Sequence, residues 1–367
     1  MSEETPAAGV DPVPWILEGG AAERHAALTR LLGAAPDAPE VQQARRAIMT
    51  EGPVPAILAA QQADGHWEGP DRFYTAKYRG TVWSLLILAE LGADGADPRV
   101  RAACEAILRD AQDPDSGGFS ETRSKKAGGG LHSCVYPCLT GNVTFSLIRL
   151  GMLDDPRVQR ALDWITTYQR FDDAEGDAPT GWPYDKLEMC WGRHTCSMGA
   201  AKALKALAEV PPERRTPAMH ATISAGAEYF LRHHVHRRSH DLTRDSKPGW
   251  RRFSFPLMYQ TDALEILLLL TRLGRDGEAA AGAGAPAAVV AAGGTGTGAA
   301  PGGAGGTPIL GDERLREALD LVASRADAQG RWRLQQTFNG RFWVDIETKG
   351  EPSRWVTLRA LEALQAD

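Results

Sequence analysis

Four cysteines and a histidine stand where they could do chemistry together. Cys134 and Cys138 are separated by three residues; Cys190, His194 and Cys196 follow after 51 intervening residues. Thiolates and imidazole are the donors zinc prefers, and four of them complete a tetrahedron. The pattern C-x3-C … C-x3-H-x-C therefore offers five candidate ligands for four places. Two other chemistries fit the same residues. A cysteine is a small hydrophobe that packs well in a core, and a thiol beside a helix N-terminus can act as a nucleophile. Cys104, alone in an amphipathic stretch, reads as a core residue.

A second set of polar residues precedes several strongly apolar runs. It comprises Lys77, Tyr78 and Arg79; Thr140 and Asn142; Tyr259, Gln260 and Asp262; and Arg354 with Trp355. Helix N-termini carry free N–H groups and partial positive charge, which suits an anionic ligand group. Lys77, Arg79 and Arg354 are thus candidates to hold a diphosphate, with Tyr78, Asn142 and Trp355 lining the same cavity. Each can equally be a cap or a solvated loop charge. Asp262, with Tyr259 near it, is the candidate proton donor, provided burial raises its pKa; next to Thr261 at a helix start it also reads as a cap. The run HHVHRRSHD supplies His233, His234, His236 and His240. Arg237 and Arg238 among them disfavour a bound cation, and histidines at a helix C-terminus complement its dipole.

These residues belong to a repeat. An amphipathic helix leads to a Gln/Asp/Gly/aromatic loop, then a longer polar segment, then a more apolar helix ending near Leu-Gly. Copies begin at AILAAQQADGHW, PRVRAACEAILRDA, PRVQRALDWITTYQ, GAEYFLRHHVH and LREALDLVASRADAQGRW. A further pair at AERHAALTRLLG and PEVQQARRAIM makes six hairpins. The first helix of each copy has one apolar stripe, as in Val100, Ala103, Cys104 and Leu108, and suits an outer position. The second, as in TVWSLLILAEL or ALEILLLLTRL, is apolar nearly all round and suits an inner one. Aligned on Leu150 and Leu207, Cys138 falls twelve residues before its anchor and Cys196 eleven; Cys134 and Cys190 fall sixteen and seventeen before. Consecutive hairpins pack roughly 8–10 Å apart, so these sulfurs are placed to face one another.

The loops are the specific clue. QQADGHW, from Gln61 through Gly65 to Trp67, fits Q-x-x-x-G-x-W; ADAQGRW repeats it with Ala326 in the Gln place, and QDPDSGGF is a looser version. They resemble the QW motifs of the terpene-cyclase and protein-prenyltransferase superfamily, over about residues 50 to 367. The resemblance implies an all-α fold, a single (α/α) toroid of five to six hairpins around a central cavity. It implies a hydrophobic ligand, of isoprenoid type, and either prenyl transfer or a non-standard cyclisation. A zinc at the cavity mouth would fit the prenyltransferases, although their ligand pattern does not transfer residue by residue. The D-x-D-D acid of squalene–hopene cyclases and the D-D-x-x-D diphosphate motif are missing; Asp172, Asp173 and Asp177 have the wrong spacing. Two rival readings stand beside this one: a non-enzymatic helical scaffold with a structural zinc or buried thiols, and a β-like subunit that needs a partner chain.

Composition bounds the rest. The 367 residues are 43% hydrophobic and 24% charged with net charge −6, an ordinary globular mixture that argues against nucleic-acid binding. The acidic N-terminus does not read as a signal peptide, and runs such as ILLLL at 266–270 are too short to span a bilayer. The expectation is a cytoplasmic protein with reduced cysteines. Residues 1–12 read as a tail, 13–367 as one domain, and the Gly/Ala-rich stretch 275–308 as a disordered insertion.

Overall fold

The computed structural model describes residues 10–126, 128–282 and 309–365. They are mostly helical. The helices are α1 (Val13–Leu17), α2 (Ala21–Ala26), α3 (Pro39–Ile48), α4 (Pro53–Ala59), α5 (Thr81–Leu91), α6 (Pro98–Ala111) and α7 (Pro137–Arg149). They continue as α8 (Pro156–Tyr168), α9 (Glu188–Trp191), α10 (Ser197–Ala208), α11 (Pro217–Arg232), α12 (Ala263–Gly282), α13 (Arg316–Ala323) and α14 (Arg354–Leu364). One small antiparallel sheet joins β1 (Arg237–Arg238) to β2 (Asp241–Asp245). No helix among the described residues is long and apolar enough to cross a membrane.

Local sequence sets the helix starts. Asp97-Pro98-Arg99-Val100 and Asp155-Pro156-Arg157-Val158 open α6 and α8. In each the aspartate accepts from the arginine N–H at 2.8 Å, and proline supplies the first helical φ. Asp312 does the same for Arg314 at 2.9 Å, just before α13.

The predicted outer and inner roles follow from burial. Every residue of α5 is buried, whereas α6 buries Val100, Ala103, Cys104, Ile107 and Leu108 and exposes Arg99 and Arg101. Outer and inner helices pack as the pairs α4–α5, α5–α6, α7–α8, α10–α11, α12–α13 and α13–α14, with α2 against α3. The inner helices touch in succession, α5–α7–α10–α12–α14. Glu90 on α5 meets Arg359 on α14 at 2.8 Å, joining first to last.

The QW-like loops tie one repeat to the next. Gln61 donates to Gly65 O at 3.0 Å and to Arg99 O, in the first turn of α6, at 2.9 Å. Gln112 repeats this with Gly117 O at 2.8 Å and Arg157 O at 2.7 Å. Gly65 takes φ +88, and a Cβ there would meet Ala102 O at 2.5 Å, so only glycine fits. Trp67 is buried and donates to Ile57 O at 2.8 Å; Trp332 donates to Val322 O at 2.7 Å. A recurrence that the sequence reading missed completes the loop. The backbone N–H of Trp67, Phe119 and Trp332 donates to the hydroxyl of Thr81, Thr140 and Thr357, at 3.1, 2.9 and 2.9 Å.

One boundary needs correction. The predicted insertion begins at 275, but α12 continues through Gly282. Its alanine run is strongly helix-forming, and Arg275 donates to Glu362 O at 3.1 Å, anchoring this turn on α14. Residues 283–308 of that stretch, and 1–9 of the predicted tail, lie outside the described residues.

Candidate functional site

A helix crossing made close by glycines positions the sulfurs. At the α7–α10 crossing, a Cβ on Gly141 would meet Lys202 C at 2.4 Å, and one on Gly199 would meet Pro137 Cγ at 3.0 Å. Two glycines therefore let the backbones approach beyond what any side chain would allow. That crossing sets Cys138, in the first turn of α7, against Cys196, the N-cap residue of α10. Cys190, from the one-turn helix α9, lies beside Cys196. All five cysteines are free thiols.

The three sulfurs differ in charge state. The Cys190 hydrogen bond lowers the Cys196 pKa most; burial opposes it, and the N–H groups of Gly199 and Met198 at the start of α10 add to the lowering, to about 6. A helix N-terminus stabilises a thiolate in this way. The neighbouring Cys196, and then burial, push Cys190 up. Burial pushes Cys138 up to about 12. The thiolate form is thus favoured at Cys196 relative to Cys190 and Cys138. Burial also raises Cys104, to about 12, in keeping with a core residue.

Phenols surround the thiols. Tyr74, Tyr136 and Tyr259 are half-buried. Tyr136 donates to Glu121 Oε1 at 2.9 Å. Tyr74 lies near Cys138, Cys190, Glu121 and Tyr259, and burial raises its pKa. Its backbone carbonyl accepts from Trp83 Nε1 at 3.0 Å, and Trp83 meets Tyr259 edge-on at 6.1 Å. The N-terminal approaches of α5, α7, α10 and α12 thus contribute to one patch of sulfur, phenol and indole.

Other predicted residues go elsewhere. His194 is 60% exposed and bonds Asp173 Oδ1 at 3.2 Å. Cys134 touches Ser133 Oγ at 3.9 Å and lies near Tyr136. Among the described residues, the three donors whose ligand atoms all lie within 4.8 Å of one another are Asp113, Asp115 and His132. Cys134, Cys138, Cys190, His194 and Cys196 do not form such a group. Sulfurs sharing a tetrahedral zinc stand roughly 3.8 Å apart, so the predicted donors do not fit zinc in this arrangement. Asp113 is also already engaged, accepting from Ser116 N at 3.1 Å and from His132 at 2.8 Å.

The candidate diphosphate clamp is dispersed. Lys77 is exposed with its ammonium 4.8 Å over Tyr74. Arg79 lies on Trp343 at 5.2 Å and donates to Phe342 O at 3.4 Å. Arg354 turns to α1, 4.5 Å over Trp15 and bonded to its carbonyl at 3.1 Å. Tyr78 is buried and stacks on Phe338 at 4.0 Å; Trp355 is buried and stacks on Phe255 at 4.6 Å. Asn142 donates to Met258 O at 3.0 Å and pins α7 to the approach of α12. Asp262 is buried, and its two oxygens accept from Ser254 N at 2.9 Å and Glu265 N at 2.8 Å. Burial raises its pKa to about 7, but Oδ1 caps the start of α12 and Oδ2 holds the loop at Ser254.

The sequence reading missed the buried charges shared by the inner helices. Lys202 is fully buried on α10 and holds Glu265 of α12 at 2.6 Å; Lys205 bridges Glu265 at 3.2 Å and Glu90 of α5 at 2.5 Å; Arg359 of α14 completes the set on Glu90. The signal was present: one or two charges stand inside each of these apolar runs, as in LLILAEL, AAKALKAL, ALEILLLL and VTLRAL.

No protein-family model matches this chain, and no curated protein does. A crystal structure of a protein from Actinoplanes is similar at 15% identity, over 88% of this chain and 99% of that one, with a TM-score of 0.30.

Proposed function

We propose that the chain is an (α/α) toroid of the terpene-cyclase and prenyltransferase type. In this reading α5, α7, α10, α12 and α14 surround one axis, and a small hydrophobic ligand binds at their N-terminal ends. The observation that carries it is the gathering of Cys138, Cys190 and Cys196 with Tyr74, Tyr136 and Tyr259 from four successive repeats. Half-buried phenols over an indole offer apolar area and π-faces to a hydrophobic or cationic group. Cys196, whose pKa is lowered, is the thiol that faces the bound ligand, with Cys190 beside it. Asp262 is a positioning residue in this scheme, because its oxygens are taken by backbone donors.

Alkylation mapped by mass spectrometry tests this. Cys196 is expected to react with iodoacetamide well before Cys134 at pH 7, Cys190→Ala is expected to move that reaction to higher pH, and a prenyl alcohol such as farnesol is expected to protect Cys196. Equal reactivity of Cys196 and Cys134, with no protection, would overturn the reading. One observation favours the scaffold instead: buried ion pairs, Lys202–Glu265, Lys205–Glu90 and Arg359–Glu90, join the inner helices. Alkylation of Cys196 without protection by any prenyl compound is the result that reading predicts.

A further inference from the structure

Eleven residues separate Cys138 from Arg149 along α7, about 16 Å of helix. At that far end two cavities of about 400 and 350 Å³ share Arg30, Glu90 and Arg149 in their walls. They form one recess, independent of the thiol site. Seven arginine and lysine side chains line it against five carboxylates, in a chain whose net charge is −6.

Most of these carboxylates are already committed. Glu90 and Glu265 belong to the ion pairs of the inner helices. Glu209 holds Arg272 at 2.6 Å, and Asp276 holds Arg215 at 2.7 Å. Two of the cations are not closely matched in return. Arg149 reaches Glu209 only at 3.7 Å and Arg30 reaches Glu362 only at 3.8 Å, beyond hydrogen-bond length. Arg359 is 5% exposed, yet its Nη1 has no partner among the described residues. Burial and the facing Arg149 hold the Arg30 guanidinium below its usual pKa, so two like charges confront each other across the recess. Arginines near helix C-termini can serve the helix dipoles, and Arg275 does so on α14. Arg359 lies in mid-helix, where that account does not reach.

We infer that this recess is an oxyanion site for a small molecule bearing a phosphate or carboxylate group, gripped by Arg30, Arg149 and the free Nη1 of Arg359. Guanidinium forks match such groups in pairs. Phe145, Leu268 and Leu269 offer the ligand's carbon frame an apolar wall. Glu362 Oε2, also buried without a partner, can accept from a ligand hydroxyl.

Calorimetric titration of the full chain with inorganic pyrophosphate and, separately, succinate tests the inference. At low chloride at least one is expected to bind saturably and to raise the melting temperature. Arg30→Gln and Arg149→Gln are each expected to weaken binding roughly tenfold or more. Arg149→Lys, which keeps the charge but loses the fork, is expected to fall between them and the parent. Lys125→Gln, a change of a cation 81% exposed elsewhere, is expected to change nothing. Binding of pyrophosphate alone assigns a phosphate ligand; binding of succinate alone assigns a carboxylate. The inference is overturned if neither anion binds, or if the glutamine variants bind as the parent does. It is equally overturned if Arg30→Gln lowers the melting temperature as much without anion as with it, the result a dipole role predicts.

Discussion

Replacing Gly141 with alanine tests the contact on which the thiol site depends. The added Cβ would stand 2.4 Å from Lys202 C, 2.5 Å from its carbonyl oxygen and 2.7 Å from Ala203 N. These are backbone atoms, so no rotamer change relieves the clash. Restoring ordinary contact requires α7 and α10 to separate by about 1 Å, and overpacking of this kind costs roughly 1–3 kcal/mol. Because the obstacle is main chain, the upper end applies. Alanine in place of helical glycine returns about 1 kcal/mol, which leaves a net loss of about 2 kcal/mol. Gly277, on α12, supplies the control: a Cβ there meets nothing within 4 Å, so Gly277→Ala should gain roughly 0.5–1 kcal/mol. Urea unfolding of both variants reads the two signs as opposite shifts in midpoint at unchanged slope. The Gly141 variant should also change the alkylation rate of Cys196, since Cys138 moves away from it. A Gly141→Ala protein as stable as its parent would refute the crossing, and with it the placement of the sulfurs.

Further outcomes follow from the same geometry. Lys202→Met leaves buried Glu265 with Lys205 alone and should cost roughly 3–5 kcal/mol in chemical denaturation, much of it recovered in Lys202→Met/Glu265→Leu. Burial alone would raise Glu265, but Lys202 and Lys205 outweigh it and bring the carboxyl from 4.5 to about 2. Its contribution to stability is therefore full above pH 4.5 and is lost as pH falls toward 2. Asp262 runs the other way: burial raises it from 3.8 to about 7, so its contribution improves as pH falls through 7 toward 3.8. Unfolding of Glu265→Gln and Asp262→Asn across pH 2–8 should remove the two trends separately. Gln112→Ala, which loses two buried hydrogen bonds, should cost about 1–3 kcal/mol; Gln61→Ala, at a half-buried position, should cost less. Chelation by EDTA should leave the melting temperature unchanged, because the thiols do not fit a shared metal; a fall of several degrees would reinstate zinc.

The repeat was legible because its chemistry is local. A glutamine, a glycine and a tryptophan within seven residues are enough to specify the loop around Gly65, and the structure uses each of them. Burial on all sides was equally readable in α5. Register arithmetic on Leu150 and Leu207 treats Cys138 and Cys196 as equivalent, and both sit at the starts of helices that pack side by side. The same arithmetic failed for His194. That residue lies in a bridge with Asp173, and spacing along an irregular segment does not fix where a side chain points. Lys77, Arg79 and Arg354 failed for a related reason. Nearby aromatics took each of them, and no repeat equivalence predicts Trp15 or Trp343 as partners.

The buried charges pose a different problem. In an apolar helix a Lys or Glu reads as a position facing water, and Lys202, like Lys205 three residues on, would face water by any local rule. It is instead the most enclosed cation in the chain, because its partner comes from another repeat 63 residues away. Buried ion pairs add little net stability over apolar packing, but breaking one is costly. In nearly featureless inner helices that asymmetry can set register. Any rotation or slide of α10 that parts Lys202 from Glu265, or Lys205 from Glu90, strands a buried charge. Leu-rich surfaces alone would tolerate such a slide. If the pairs do act as a register lock, a double variant that restores stability without restoring charge should still lose the Cys196 reactivity at the other end of the same helix. Lys202→Met/Glu265→Leu is that variant: normal unfolding with disordered thiol chemistry would show that the charges specify the site, and normal behaviour in both would show that packing alone does.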